Sequence, residues 1–192
     1  MKRYTNYCLL ALLLGASSQI KAQSQSQADA QKAWMTYMTP GPVHKMIAAS
    51  DGDWKAEISL WETPGGTPTT STSSCTNKMI LGGRYQESRI TGTFMGMPFE
   101  GIGTLAYDNA KKVFISSWID NMGTGMMNLE GTWDAGTKSI TFIGKMTDPM
   151  SGKDMPYREV FKMIDDNTQQ MDMYAQMNGQ EFKTMEIKLT RK

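Results

Sequence analysis

From Asp53 onward, apolar and polar residues alternate with a period of two, which restricts the chain to strands with one buried face. Trp54, Ala56, Ile58 and Leu60 share one face, and Lys55, Glu57 and Ser59 the other. Thr63 to Pro68 (TPGGTP) reads as a loop, and Gly82-Gly83, Asp108 to Lys111, Asp134 to Gly136, Asp165 to Asn167 and Asn178-Gly179 read as turns. The last is a type I′ hairpin signal. Strands are expected at 70–81, 84–91, 99–107, 112–119, 125–133, 139–146, 157–164, 168–177 and 181–190, with Asp148 to Pro156 as a further tip. That makes about ten strands joined by short connections. Parallel pairing needs long crossovers, and no segment here supplies them, so the sheet is antiparallel and largely a meander. One open sheet of this length would leave two long edges; closing it into a barrel removes them. A two-sheet sandwich is the alternative. The expected fold class is therefore all-β, an up-and-down barrel preceded by one or two short helices. Residues 28–38 carry Ala33, Trp34, Tyr37 and Met38 at helical spacing, and Pro42 to Ser50 reads as a second short helix.

The first residues read as a signal peptide. Lys2 and Arg3 precede an apolar run, Leu9 to Leu14, far shorter than the ~20 residues a membrane-spanning helix needs. Small residues follow, and cleavage is expected after Ala22, with Ser18 as the weaker alternative. Cys8 lies ahead of most of the apolar run, the wrong place for a lipidated cysteine. Export to the periplasm or beyond the cell is expected, then a polar lead-in at 23–43 and one domain at 44–192. No stable membrane insertion of the mature chain is expected.

Removing residues 1–22 takes away Lys2, Arg3 and Lys21 and no acidic residue, leaving 17 basic against 19 acidic residues and a net charge of −2. That is no footprint for nucleic acid or for an anionic membrane surface. Cys75 is the one cysteine left, so no disulfide framework forms within the chain, and the thiol is expected to be buried.

Gly52-Asp53-Trp54 opens the first strand and Arg191 ends the last. This pairing resembles the calycin signature of lipocalins and fatty-acid-binding proteins. The resemblance implies that the arginine lies across the indole and closes the barrel floor, a contact that suits a planar guanidinium. Residues 44–190 also resemble an uncharacterised bacterial family, domain-of-unknown-function family 1579. The resemblance is carried by Gly96 to Gly101 (GMPFEG), Gly103 to Asp108, Trp118-Ile119-Asp120 and Asp148 to Lys153. It implies an exported β-barrel and brings no activity with it.

Catalytic signatures are absent. His44 is the one histidine, no nucleophile elbow is present, and His44 with Cys75 is too small a set for zinc. His44 is expected on a helix surface or as a cap. No cofactor or metal is implied. The glycines at 101, 103, 123, 125 and 131 read as bulges and bends. Of the carboxylates Glu87, Glu100, Asp120 and Glu130, most are expected to face solvent, with Glu100 and Arg158 as the candidates for an inward pair. Seventeen methionines remain after residue 22. Met95-Gly96-Met97, Met126-Met127 and Met171-Asp172-Met173 invite a copper(I) reading. Met171, Met173 and Met177 instead share a strand face with Ala175, which reads as core or as the lining of a pliable apolar cavity.

The leading functional expectation is a non-enzymatic, lipocalin-like binder of a small apolar or amphipathic ligand. Its expected ligand-binding residues are Glu100, Arg158, Phe99, Trp118, Met171 and Met173, with Gly52, Trp54 and Arg191 as the structural signature. An enzyme with a carboxylate–arginine site inside the barrel, a methionine-based copper(I) buffer and a structural envelope domain stand as alternatives. Oligomeric state is left open.

Overall fold

The computed structural model describes residues 25–192 apart from Asn178. The expected signal peptide, with Cys8 and the Ala22 boundary, lies outside the described residues, as do Asn178 of the last expected turn and the side chain of Met177.

Helix α1 covers residues 25–38, in a compact unit that ends at Thr39, and its Trp34 and Tyr37 rings meet edge to face. The second unit, Pro40–Lys192, holds α2 (Pro42–Ala48) and ten strands. These are β1 (Gly52–Leu60), β2 (Thr69–Ile80), β3 (Tyr85–Phe94), β4 (Met97–Asp108), β5 (Val113–Asp120), β6 (Met127–Asp134), β7 (Ser139–Thr147), β8 (Asp154–Asp165), β9 (Thr168–Met177) and β10 (Gln180–Arg191). Every strand pairs antiparallel with the next, and β1 pairs with β10, so the sheet closes into a barrel without free edges. The sandwich alternative is thereby set aside.

Period-two alternation explains the wall. On β1, Trp54 and Ala56 are buried while Lys55 and Glu57 are exposed; on β8, Tyr157, Glu159 and Phe161 are buried between residues of intermediate exposure. Across the barrel the inner faces join into two apolar clusters, one around Phe114, Leu129, Ile140, Phe142 and Phe161, the other around Trp54, Ala56, Cys75, Ile187 and Leu189. The Cys75 thiol is pushed up to about 11 by burial and by the nearby Asp53 charge, so it behaves as a small apolar residue, as expected.

The expectation that glycines mark bulges needs correcting. Register shifts occur between Met163 and Asp165 and between Lys183 and Met185, where no glycine lies. Gly101, Gly103 and Gly131 sit in regular pairing and leave room for inward rings instead.

One end of the barrel is closed by α2. Trp54 is fully buried, donates its indole N–H to the Ser50 carbonyl at 3.0 Å, and carries the Arg191 guanidinium 4.3 Å above its ring. Arg191 also donates to the carbonyls of Asp51 (2.6 Å), Ala49 (2.8 Å) and Asp166 (3.1 Å). Those first two carbonyls follow the end of α2, where the last turn of a helix has no partners of its own and favours a cation. Gly52 is required here twice over: its φ is +125°, and a Cβ would lie 2.9 Å from Arg191 Nη1.

Inner polar side chains hold the rest of the plug. Asn77 donates to the Ser50 carbonyl, Gln86 to the Ile47 carbonyl and the Asp51 carboxylate, and Gln169 to the Ser50 hydroxyl. His44 is buried rather than on the helix surface. Its Nδ1 accepts the Gly41 amide at 3.0 Å as a cap, and burial, then the Arg84 charge, lower its basicity.

Candidate functional site

The far end of the barrel is different. Among the described residues of 40–192, α2 is the one helix, and it lies at the Trp54 end. At the other end the inward side chains Phe94, Phe99, Trp118, Met127, Met146, Met155 and Met185 are all half-buried. Solvent therefore reaches the inner face from that side, across a lining of aromatic rings and thioethers.

Phe99 and Trp118 form a shelf in that mouth. Their rings stack at 6.4 Å with 22° between planes, and Phe94 packs on Phe99 at 6.1 Å. Gly101 and Gly103 on β4 face Trp118 on β5: a Cβ at Gly103 would come within 3.3 Å of the ring, and one at Gly101 would overlap it outright. The indole N–H donates to Asp120 Oδ2 at 2.7 Å, and Asp120 Oδ1 accepts the Met122 amide. Asn121 ties the two strands together, accepting the Glu100 amide and donating to the Pro98 carbonyl. Segments 96–101 and 118–121 thus build one object, an aromatic shelf with a capped carboxylate. Gly101→Ala is expected to displace Trp118, with a cost of about 1–3 kcal/mol and a shifted Trp118 indole resonance in the 15N spectrum. An unmoved indole resonance and an unchanged urea midpoint would contradict this.

Glu159 stands deeper, on the inner face of β8. It is 3 % exposed, opposite Phe142 on β7 and Met173 on β9, with Tyr157 and Phe161 two residues away on its own strand. Among the described residues it has no hydrogen-bonding or ion-pairing partner. Burial pushes its carboxyl up to about 7. Tyr157 beside it is raised in turn, by burial first and by the Glu159 charge second. Asp172 shows what partners would do. It is equally buried, on the outer face of β9, and burial alone would raise it. Bonds from Lys183 and Gln170, with Lys162 nearby, outweigh that and hold it low. Glu159 is the buried carboxyl left without such help.

Glu100 and Arg158 do not converge inside the barrel, and this expectation is corrected. Both point outward, on β4 and β8. Glu100 pairs with Arg89, while Arg158 binds Glu181 through two hydrogen bonds and lies 3.8 Å over the Tyr174 ring. Parity explains it: Glu100 alternates with inward Phe99 and Gly101, and Arg158 with inward Tyr157 and Glu159. Of the other expected site residues, Phe99 and Trp118 line the mouth, and Met171 and Met173 face inward, half-buried, against both apolar clusters. The methionine pairs separate as well. Met95 and Met97 are 74 % and 51 % exposed, and Met126 points out while Met127 packs inward. Among the described residues, no three His, Cys, Asp or Glu side chains gather as a metal site.

A family model described as protein of unknown function (DUF1579) matches residues 39–191, from just before α2 to the end of β10. The chain belongs to this family. The match spans the plug, the whole barrel, the shelf and Glu159, so the complete second unit is the DUF1579 domain. No curated protein matches the chain.

Proposed function

We propose that this DUF1579 protein is an exported, non-enzymatic binding protein, whose barrel takes up a small apolar or amphipathic ligand through the end opposite α2. The observation that carries the reading is the contrast between the two ends. One is sealed by Trp54, Arg191 and the hydrogen bonds to α2. The other presents half-buried Phe, Trp and Met side chains on the inner face. Apolar linings with few polar groups suit small-molecule sites, and methionine adapts its shape to varied apolar partners. Export is supported by the basic start, the Leu9 to Leu14 run and the small residues up to Ala22.

Native mass spectrometry of the chain purified from its own host, with solvent extraction of the same sample, tests the binding reading. The expected result is a bound mass lost on extraction and recovered as a small molecule with apolar character. A barrel that stays at its bare mass in every preparation, and takes up no apolar small molecule added to it, would overturn the reading.

A further inference from the structure

We propose that the ligand is a small amphipathic amine, its ammonium group held by the Glu159 carboxylate and its apolar remainder lying toward Phe99 and Trp118 at the mouth. The inference rests on the binding reading above and adds the chemistry of the head group.

Glu159 is a polar side chain almost wholly buried, turned to the inner face, with no partner among the described residues. A buried carboxyl in that state is costly unless something completes its bonding. The charged groups around it show what that something is. Among the described residues, the inner strand positions carry two carboxylates, Glu159 and Asp120. Asp120 is already capped by the Trp118 indole and the Met122 amide. Of the strand lysines and arginines, Lys55, Arg89, Lys145, Arg158, Lys162 and Lys183 make their ion pairs on the outer face, and Lys78 and Lys188 are exposed. At the floor, Arg191 is occupied by three carbonyls and Trp54, and His44 caps Gly41 against Tyr107.

Among the described residues the inner wall is therefore negative, with Glu159 its one unpaired carboxylate and no unpaired cation; the other buried acceptor without a partner, Gln169 Oε1 at the floor, belongs to a neutral amide. An anionic ligand is repelled there. A neutral hydroxyl offers one donor and no charge. An ammonium offers three donors and the opposite charge, in a water-poor setting where both count for more than in water.

The test uses three probes of equal chain length, octylamine, 1-octanol and octanoate, titrated calorimetrically into the whole chain at pH 8. Octylamine is expected to bind at least tenfold tighter than octanol, and octanoate weakest. In Glu159→Gln, octylamine should fall to the octanol level while octanol stays within threefold. A second readout needs no variant. At pH 6, where Glu159 is largely protonated, octylamine binding should release close to one proton, measured by comparing two buffers of different ionisation heat, and octanol none. Equal affinities for amine and alcohol, an amine preference that survives Glu159→Gln, or no proton release each overturn the head-group inference. Octanol binding retained in those cases leaves the binding reading standing. Folded protein that binds none of the three overturns both.

Discussion

Trp54→Ala is expected to remove about 3–5 kcal/mol of stability, the range for truncating a fully buried large aromatic side chain. The indole is 0 % exposed, fills the centre of the sealed end, satisfies the Ser50 carbonyl and supports the Arg191 guanidinium. Its loss leaves a cavity, takes one of two donors from the Ser50 carbonyl, which Asn77 still holds, and leaves an arginine without its platform. Arg191→Ala should cost less, about 1–3 kcal/mol, because the Ala49 and Asp166 carbonyls it releases are bonded at the solvent-exposed edge, where water replaces the donor. Urea unfolding of the two variants checks the order. A Trp54→Ala cost below that of Arg191→Ala would mean that the floor is not built around the indole.

The second large effect is a pH dependence. In the folded barrel the Glu159 carboxyl titrates near 7, against an ordinary value of 4.5. Between those two values the folded state holds the proton and the unfolded chain does not, so stability falls as pH rises from about 4.5 to about 7 and stays reduced above. At 1.36 kcal/mol per unit, the loss is on the order of 3 kcal/mol. His44 acts in the opposite sense. Its lowered basicity means that acid favours the unfolded chain, so its contribution is lost as pH falls through the ordinary histidine range. The difference between the wild type and Glu159→Gln cancels that background. The variant is expected to show a much flatter dependence from pH 5 to pH 8 and to exceed the wild type at pH 8 by about 1–2 kcal/mol. Parallel curves for the two proteins would show that Glu159 ionises freely in the folded state.

Much of this architecture is legible in the chain itself. Alternation and turn residues mark all ten strands, since a wall with one buried face leaves that trace directly. The floor is legible too, because Gly52, Trp54 and Arg191 do work that few other residue types fill: a positive φ, a large plate and a planar cation. The buried acid is less visible, although its trace exists. Tyr157, Glu159, Phe161 and Met163 share one face of β8, and an acid in the middle of an apolar face is the signal. Arg158 draws attention away from it as the larger charge. Glu100 misleads for another reason. The inner face of β4 contains Gly101 and Gly103, whose missing side chains blur the parity that Phe99 and Leu105 would otherwise set. The buried state of Asp172 is written in no single segment, because Lys162 and Lys183 reach it from two neighbouring strands, one of them across a register shift.

The central claim is that a ligand reaches the inner face through the mouth, and methionine methyl NMR tests it most directly. With methyl-13C methionine in the chain, 1-octanol is expected to give saturable shifts at Met155, Met173 and Met185, which line the inner wall. Met95, Met122, Met126 and Met150, which stand 74 %, 39 %, 62 % and 95 % exposed, should stay in place. Saturable shifts confined to that exposed set, or none at the inner set up to the solubility limit of octanol, would contradict the account.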